Sequence, residues 1–257
     1  MNNIINEIKS SYNDVYRDSG LTIIKVSGND NVKFLQGQLT NDIEKLTDSY
    51  IRASYCTHQG KVITNMQIFS SENELILMIP KNIGKYFIEK ISKYILMSDV
   101  KFIEFNDNTV LWSVGDKAKE LINEYKIDKC NSFKKLSESE YIINMSQKGS
   151  HQFRYIRLES CVNDRINYIT PDKRQTCLID LLSMHTRLKN ENMEKFIPQV
   201  LNSDELETVS YKKGCYTGQE VIARTHYLGN VKKHLYLISV NSSIGDQSSI
   251  VNEDGES

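Results

Sequence analysis

The sequence predicts an α+β fold, and the spacing of its apolar residues carries this prediction. Runs such as residues 21–27 and 62–69 are typical of strands, and segments with helical periodicity lie between such runs. The turn Thr57-His58-Gln59-Gly60 separates two strand-like runs and indicates a hairpin. Strands and helices joined by hairpins favour an α+β fold over a doubly wound parallel sheet.

The individual elements follow from apolar periodicity and from turn or capping residues. The predicted strands are residues 21–27, 51–56, 62–69, 74–79, 100–105, 109–114, 141–145, 153–158 and 234–240. The predicted helices are 32–39, a short one that Asn41 and Glu44 would cap, 83–95, 117–125 and 172–189. Residues 241–257 are rich in Ser, Gly, Asn and Asp, a composition typical of disorder.

We divide the chain into three parts. Residues 1–115 form an N-terminal α/β half that would bind the ligand, and residues 116–233 form a second α/β block. Residues 234–257 are a short strand with a disordered tail.

Composition limits the classes of function. The net charge is −1, so no global field attracts nucleic acid or a membrane. The five cysteines include no Cys-x-x-Cys pair, and we predict no metal site. The N-terminus has no basic start followed by an apolar run, and no apolar stretch approaches the roughly 20 residues that cross a bilayer. We therefore expect a cytoplasmic protein with free thiols.

One segment has the composition of a reactive site: Lys213-Gly214-Cys215-Tyr216-Thr217-Gly218-Gln219-Glu220. Its two glycines permit a tight bend around the cysteine. Basic residues outnumber acidic ones from position 211 to position 234, which favours thiolate over thiol. A buried, inert cysteine in a glycine turn is the alternative that spacing leaves open.

This segment resembles the K-G-C-[YF]-x-G-Q-E signature of the YgfZ family. Phe196-Ile197-Pro198-Gln199 is similar to the F-I-P-Q of that family, and Phe34-Leu35-Gln36-Gly37-Gln38-Leu39-Thr40-Asn41-Asp42 to its N-terminal motif. The three motifs occur in the family's order. The resemblance runs from about residue 21 to residue 236.

The resemblance implies a fold shared with the aminomethyltransferase of the glycine cleavage system. It also implies tetrahydrofolate, or a folate derivative, in a central cavity, and Cys215 as the working residue. The rest of the signature comprises Lys213, Gly214, Tyr216, Gly218, Gln219 and Glu220.

Three residues are predicted to bind the folate, two of them by the same resemblance. Glu159 ends a strand as a carboxylate does in folate-binding relatives, where it holds the pterin ring. Phe153 stands where some relatives place an aromatic ring, and Arg224 is added as a cation. A surface ion pair for Glu159 and core packing for Phe153 are the alternatives.

The chain also departs from its relatives. Thr64 and Asn65 replace an Asp pair that performs the chemistry in aminomethyltransferases, so we predict no glycine-cleavage activity. Leu21 occupies the place of a Trp that contacts folate in many relatives. The relatives continue into a closing β-barrel, which we expect to be missing or incomplete here.

The predicted function is that of a folate-binding accessory protein for the maturation or repair of iron–sulfur enzymes, including tRNA-methylthiolating enzymes. Its partners would be folate and iron–sulfur enzymes or assembly proteins. A folate-dependent one-carbon transferase on an unidentified substrate is the alternative. A direct tRNA-binding module is disfavoured by the near-neutral charge.

The histidines are weaker candidates. His226 and His234 lie near Cys215 in sequence and could orient or deprotonate it. His58 is interpreted as a turn residue and His185 as a core residue.

Overall fold

The computed structural model describes residues 14–47, 49–146, 151–159, 165–172, 175–176, 186–229 and 231–236. The described strands are β1 (Tyr16–Arg17), β2 (Leu21–Ser27), β3 (Tyr50–Cys56), β4 (Val62–Ser71), β5 (Glu74–Pro80), β6 (Lys101–Phe105), β7 (Thr109–Val114), β8 (Phe133–Ser137), β9 (Glu140–Asn144) and β10 (Gln152–Arg157). The described α-helices are α1 (Asn31–Gln36), α2 (Gly84–Ile91), α3 (Gly115–Tyr125) and α4 (Gln219–Leu228).

These strands form two antiparallel sheets. The first sheet has the order β3-β4-β5-β2-β6, and the second sheet has the order β1-β7-β10-β9-β8. Hairpins join β3 to β4 and β4 to β5, in agreement with the turn chemistry of the sequence. The paired strands of the second sheet are also antiparallel, which is typical of an α+β fold.

The two sheets pack face to face through an apolar inner layer. Phe69, Met78 and Ile23 of the first sheet share one buried cluster with Ile143 and Ile156 of the second. Because side chains alternate along a strand, the neighbouring residues of each strand point to the outer faces.

Helices cover the outer faces. α3 covers the second sheet through Ala118, Leu121 and Ile122. The outer face of the first sheet is covered by α1, α2 and α4, whose buried residues include Leu35, Phe87 and Ile222. The result is a four-layer arrangement of helices, sheet, sheet and helix.

The segment from residue 186 to residue 229 returns to the first sheet. The Val62 amide donates to the Phe196 carbonyl at 2.8 Å, and the Glu194 amide donates to the Val62 carbonyl at 2.9 Å. Leu201 and Tyr216 then join the outer cluster of that sheet. This return brings the cysteine-containing segment next to the N-terminal motif.

Most sequence predictions of local structure are confirmed. The strands predicted between residues 21 and 158 are present, with ends that differ by at most two residues. The predicted helix at 83–95 ends as an α-helix at Ile91 and continues as a single 3-10 turn, Ser92–Tyr94. The sequence pattern did not predict β1, β8 or α4.

Three local predictions are wrong. The predicted second helix is one 3-10 turn, Ile43–Lys45, and Asn41 bonds the Arg52 and Glu207 carbonyls instead of pairing with Glu44 as a cap. Residues 186–189 are not helical, so the predicted helix does not extend to residue 189; residues 177–185, including His185, lie outside the described part.

The third error concerns the last predicted strand. Residues 234–236 have no strand partner, and the Leu235 amide donates instead to the Val200 carbonyl at 3.1 Å. Residues 237–257, which include the rest of that strand and the tail, lie outside the described residues.

The predicted division at residue 115 stays a prediction. Strands pair across it, because β7 before the division pairs with β10 after it in the second sheet. Among the described residues, no helix has the length and apolar character needed to cross a bilayer.

Candidate functional site

The three sequence motifs meet on the outer side of the first sheet. The Thr217 amide donates to the Gly37 carbonyl at 3.3 Å, and its hydroxyl donates to Gln38 Oε1 at 3.4 Å. Gln199 of the Phe-Ile-Pro-Gln motif donates through Nε2 to the Ile222 carbonyl in α4 at 2.8 Å. The N-terminal motif thus contacts one loop, residues 213–218, which we call the signature loop, and the Phe-Ile-Pro-Gln motif contacts the helix that follows it.

Lys213 anchors the start of this loop. Its ammonium donates to three backbone carbonyls: Gln36 at 2.6 Å, Leu39 at 2.8 Å and Asn41 at 2.7 Å. The ammonium also lies 5.1 Å from the centroid of the Tyr216 ring, within the range of a cation–π contact. Burial lowers the pKa of Lys213 to about 8.

A close backbone contact fixes the other end of the loop. Gly218 has φ of +83°, and a Cβ there would lie 2.5 Å from the Thr57 carbonyl oxygen and 3.0 Å from the Gly60 Cα. The loop therefore requires glycine at position 218. A Cβ on Gly214 would meet nothing within 4 Å, so space does not require glycine there.

Cys215 is exposed and opens into a depression of about 460 Å³. The depression is lined by Gly37, His58, Cys215, Tyr216, Thr217, Gly218, Gln219 and Glu220. The buried-cysteine alternative is therefore wrong for Cys215. Tyr216 is buried beneath the loop, and burial raises the pKa of its hydroxyl.

Cations contribute less to this depression than the sequence predicted. The ammonium of Lys213 is directed at the carbonyls and not at the thiol. Lys212 and Arg224 are exposed and line no part of the depression. Arg224 borders a separate depression of about 340 Å³ together with Glu220, and its assignment to folate stays a prediction.

The histidine beside Cys215 is not one that sequence proximity favoured. His226 stacks on Tyr211 with ring centroids 3.6 Å apart, and its Nδ1 lies 3.6 Å from Asp204 Oδ2. His234 is exposed and does not line the depression. His58 does line it, although the sequence offered only a turn position more than 150 residues from Cys215.

A second polar cluster lies between the sheets. Ser54 donates to Asn65 Oδ1 at 2.7 Å, and Asn65 Nδ2 donates to the Thr186 carbonyl at 3.3 Å. Asn65 occupies the second position of the Asp pair found in aminomethyltransferases. Thr64, at the first position, is buried, and its hydroxyl donates to the Asn65 carbonyl at 3.0 Å.

An ion cluster continues from this point to the second sheet. Arg187 donates to both carboxylate oxygens of Asp18, at 2.8 Å and 2.5 Å, and Arg154 donates to Asp18 at 3.0 Å. Burial by itself would raise the pKa of Asp18, but Arg187 and Arg154 outweigh it and hold that pKa below its ordinary value. This cluster ties the residue 186–187 segment to the second sheet.

Two further polar side chains in this region have no partner in the described part of the chain. Both amide atoms of Gln67 and the indole nitrogen of Trp112 are buried without a hydrogen bond. Gln67 has the same orientation as Phe69, and Trp112 the same as Val110, so both face the space between the sheets. Buried polar atoms without partners are rare and call for an explanation such as a ligand.

The structure places the other predicted folate residues as follows. Glu159 is exposed beyond the end of β10, and its carbonyl accepts from Arg157 Nε at 2.9 Å. Phe153 is 1% exposed and packs in the core, with its ring 5.9 Å from that of Tyr125. The contacts of Phe153 are those of the core alternative, and the folate roles of Glu159 and Phe153 stay predictions.

Comparison with curated proteins supports the resemblance. The chain is 29% identical over 233 residues to the tRNA-modifying protein YgfZ of Hamiltonella defensa, covering 84% of this chain and 67% of that protein. It is 29% identical over 225 residues to the protein of the same name from Aliivibrio fischeri, covering 84% and 68%. No family model matches the chain. The predicted resemblance to the YgfZ family is confirmed.

Comparison with solved structures supports the fold. The glycine cleavage system aminomethyltransferase T from Bartonella henselae superposes with a TM-score of 0.62 at 12% sequence identity. The match covers 82% of this chain and 62% of the length of that one. The predicted aminomethyltransferase-like α+β fold is confirmed.

Proposed function

We propose that this chain is a folate-binding accessory protein that supports the maturation or repair of iron–sulfur enzymes, including those that methylthiolate tRNA. The observation that carries the proposal is the signature loop, which presents Cys215 at the surface. The N-terminal motif holds this loop, and the Phe-Ile-Pro-Gln motif holds the helix that follows it. The name tRNA-modifying protein, which the YgfZ relatives bear, is consistent with such a client.

The residues between the sheets fit a folate. A reduced pterin ring carries amino and N–H donors and a carbonyl acceptor. The Gln67 amide offers both a donor and an acceptor, and the Trp112 indole offers a donor, all buried and unpartnered. These two side chains would hold the ring, and the Glu159 carboxylate beyond the end of β10 is a separate contact that the resemblance implies. When bound, the folate supplies a one-carbon unit or a reduced ring.

The chain's own groups then divide the work. Gln67 and Trp112 bind, and the Asp18 ion cluster holds the residue 186–187 segment against the second sheet beside the ligand. Cys215 remains open to a second molecule. An exposed thiol can receive or pass sulfur or a cluster to a protein client.

The separation of the two clusters favours the accessory role over the transferase alternative. The signature loop packs with the outer cluster of the first sheet through Tyr216, whereas Gln67 faces the second sheet. A thiol and a ligand on opposite faces of one sheet are poorly placed for direct transfer of a one-carbon unit.

Rescue of iron–sulfur enzyme activity in a strain that lacks its own factor tests the proposal. We expect Cys215→Ala to lose rescue and Cys130→Ala to retain it, since Cys130 is the matched exposed cysteine. Full rescue by Cys215→Ala would overturn the role of the thiol.

Calorimetry with tetrahydrofolate tests the ligand separately. Gln67→Leu and Glu159→Ala should each weaken binding about tenfold or more, because each removes a polar partner of the ring. Gln38→Leu, on the signature side, should bind as wild type does. Absence of folate binding by the folded wild-type protein would refute this part.

A further inference from the structure

We propose that His58 is the proton acceptor of Cys215, so that the depression holds a cysteine–histidine pair. This inference rests on the proposed role of the Cys215 thiol. It departs from the sequence prediction, which placed the partner at His226 or His234.

The turn that carries His58 is held firmly against the signature loop. The Gly60 amide donates to the Thr57 carbonyl at 2.9 Å, and the Thr57 amide donates to the Lys61 carbonyl at 2.8 Å. Gly218 then contacts the turn backbone so closely that no Cβ fits between them. The backbone position of His58 relative to the loop is therefore fixed by these contacts.

The imidazole of His58 is oriented by a contact with Tyr94. His58 Nε2 lies 3.1 Å from the Tyr94 hydroxyl, and the two rings are T-shaped with centroids 6.1 Å apart. When Nε2–H donates to the Tyr94 oxygen, Nδ1 is left as the unprotonated nitrogen. A histidine whose one nitrogen is engaged by a third group has the arrangement of an oriented base.

The titratable side chains around the two residues decide which of them can take up the proton. The titratable groups that line the depression in the described part of the chain are His58, Cys215, Tyr216 and Glu220, and Tyr94 joins them through its contact with His58. Glu220 is the carboxylate on the rim of the depression, and none of the lysines or arginines among the described residues lines it. His58 is thus the side chain in this depression that can accept a proton from the thiol.

The proton balance of the step is simple. The S–H bond of Cys215 breaks, its electron pair stays on sulfur, and the proton moves to His58 Nδ1. A thiolate and an imidazolium result, and the reverse transfer returns the proton to a leaving group. Such contacts tighten when a reactant fills the site, so a looser pair in the free protein is expected.

The test is the pH profile of alkylation at Cys215 by iodoacetamide, followed on the Cys215 peptide by mass spectrometry. An unperturbed thiol with a pKa of about 8.5 is only about 1% thiolate at pH 6.5. In the wild type, the rate at pH 6.5 should stay within about tenfold of the rate at pH 9. In His58→Gln it should fall at least a further fivefold at pH 6.5, with little change at pH 9.

Two controls separate this effect from a structural one. His226→Gln, an exposed histidine on α4, should keep the wild-type profile. Tyr94→Phe should shift the profile part of the way, because it removes the hydroxyl that orients the ring. Circular dichroism and thermal unfolding verify that each variant is folded.

The profile of the wild type alone can overturn the proposal, even if a variant fails to fold. An ordinary thiol profile in the wild type, or the same profile in His58→Gln, refutes the pair. The assay uses neither folate nor a client enzyme. A perturbed profile combined with full rescue by Cys215→Ala would therefore reject the proposed function while the pair stands.

Discussion

The Lys213 anchor leads to a prediction whose size follows from its contacts. Lys213→Met keeps the apolar stem on Tyr216 but removes three hydrogen bonds to backbone carbonyls. Each bond from a charged donor is worth about 1.5–3 kcal/mol, and the cost of burying the ammonium offsets part of the sum. We expect a net loss of about 3 kcal/mol of unfolding free energy.

Thermal and urea unfolding measure this loss. A change of that size lowers Tm by about 6–12 °C in a chain of this length. Lys213→Arg should recover little of it, because a planar guanidinium cannot direct its donors as a compact ammonium does. Hydrogen exchange of the Thr217 amide, which bonds the Gly37 carbonyl, should accelerate in the same variants.

Lys212→Met is the matched control, since Lys212 is the exposed neighbour. It should change stability by less than about 0.5 kcal/mol. If Lys213→Met unfolds within that same margin of the wild type, the three carbonyl contacts do not anchor the loop.

Two further predictions concern the Asp18 cluster and the glycine contact. Asp18→Asn should destabilise the protein by about 3–5 kcal/mol at pH 7, because it removes the carboxylate that pairs with the buried Arg154 and the partly buried Arg187. The pKa of Asp18 is depressed in the folded protein, so its contribution to the free energy of unfolding is present above the pKa of the unfolded chain and is lost as pH falls through the folded pKa. Urea titrations of wild type and variant should therefore converge in acid. A stability gap that stays constant from pH 7 to pH 2 would contradict this. Gly218→Ala should lower the free energy of unfolding by about 2 kcal/mol or more, because Gly218 has a positive φ and lies close to the Thr57 carbonyl. Gly214→Ala is the control and should be nearly neutral in thermal unfolding. Equal effects of the two substitutions would show that the contact at Gly218 is not tight.

Local sequence pattern predicted the strands well for a physical reason. Alternation of apolar residues reports which face of a strand is buried, and the runs at 21–27 and 109–114 match β2 and β7 from end to end. The missed elements lack such a pattern. β8 is an edge strand with adjacent lysines at 134 and 135, and α4 has one buried residue, Ile222.

The signature itself was visible in the sequence, because a cysteine between glycines among charged residues is a local feature. Its surroundings were not visible. Counting charges along the chain placed the ammonium of Lys213 beside the thiol, whereas the fold directs it at the carbonyls of residues 36, 39 and 41. Charge density in sequence does not report the direction in which a side chain points.

The sequence by itself thus determined the fold class, most strands, the family resemblance and the thiol at Cys215. Only the tertiary structure decided which histidine shares a depression with that thiol and which polar groups remain unpartnered between the sheets. His58 lines the same depression as Cys215, and Gln67 faces the same inter-sheet space as Trp112, because antiparallel pairing and the return of the 186–229 segment join distant parts of the chain. Periodicity is a local property, whereas the partners of a site are chosen by contacts between residues far apart in sequence.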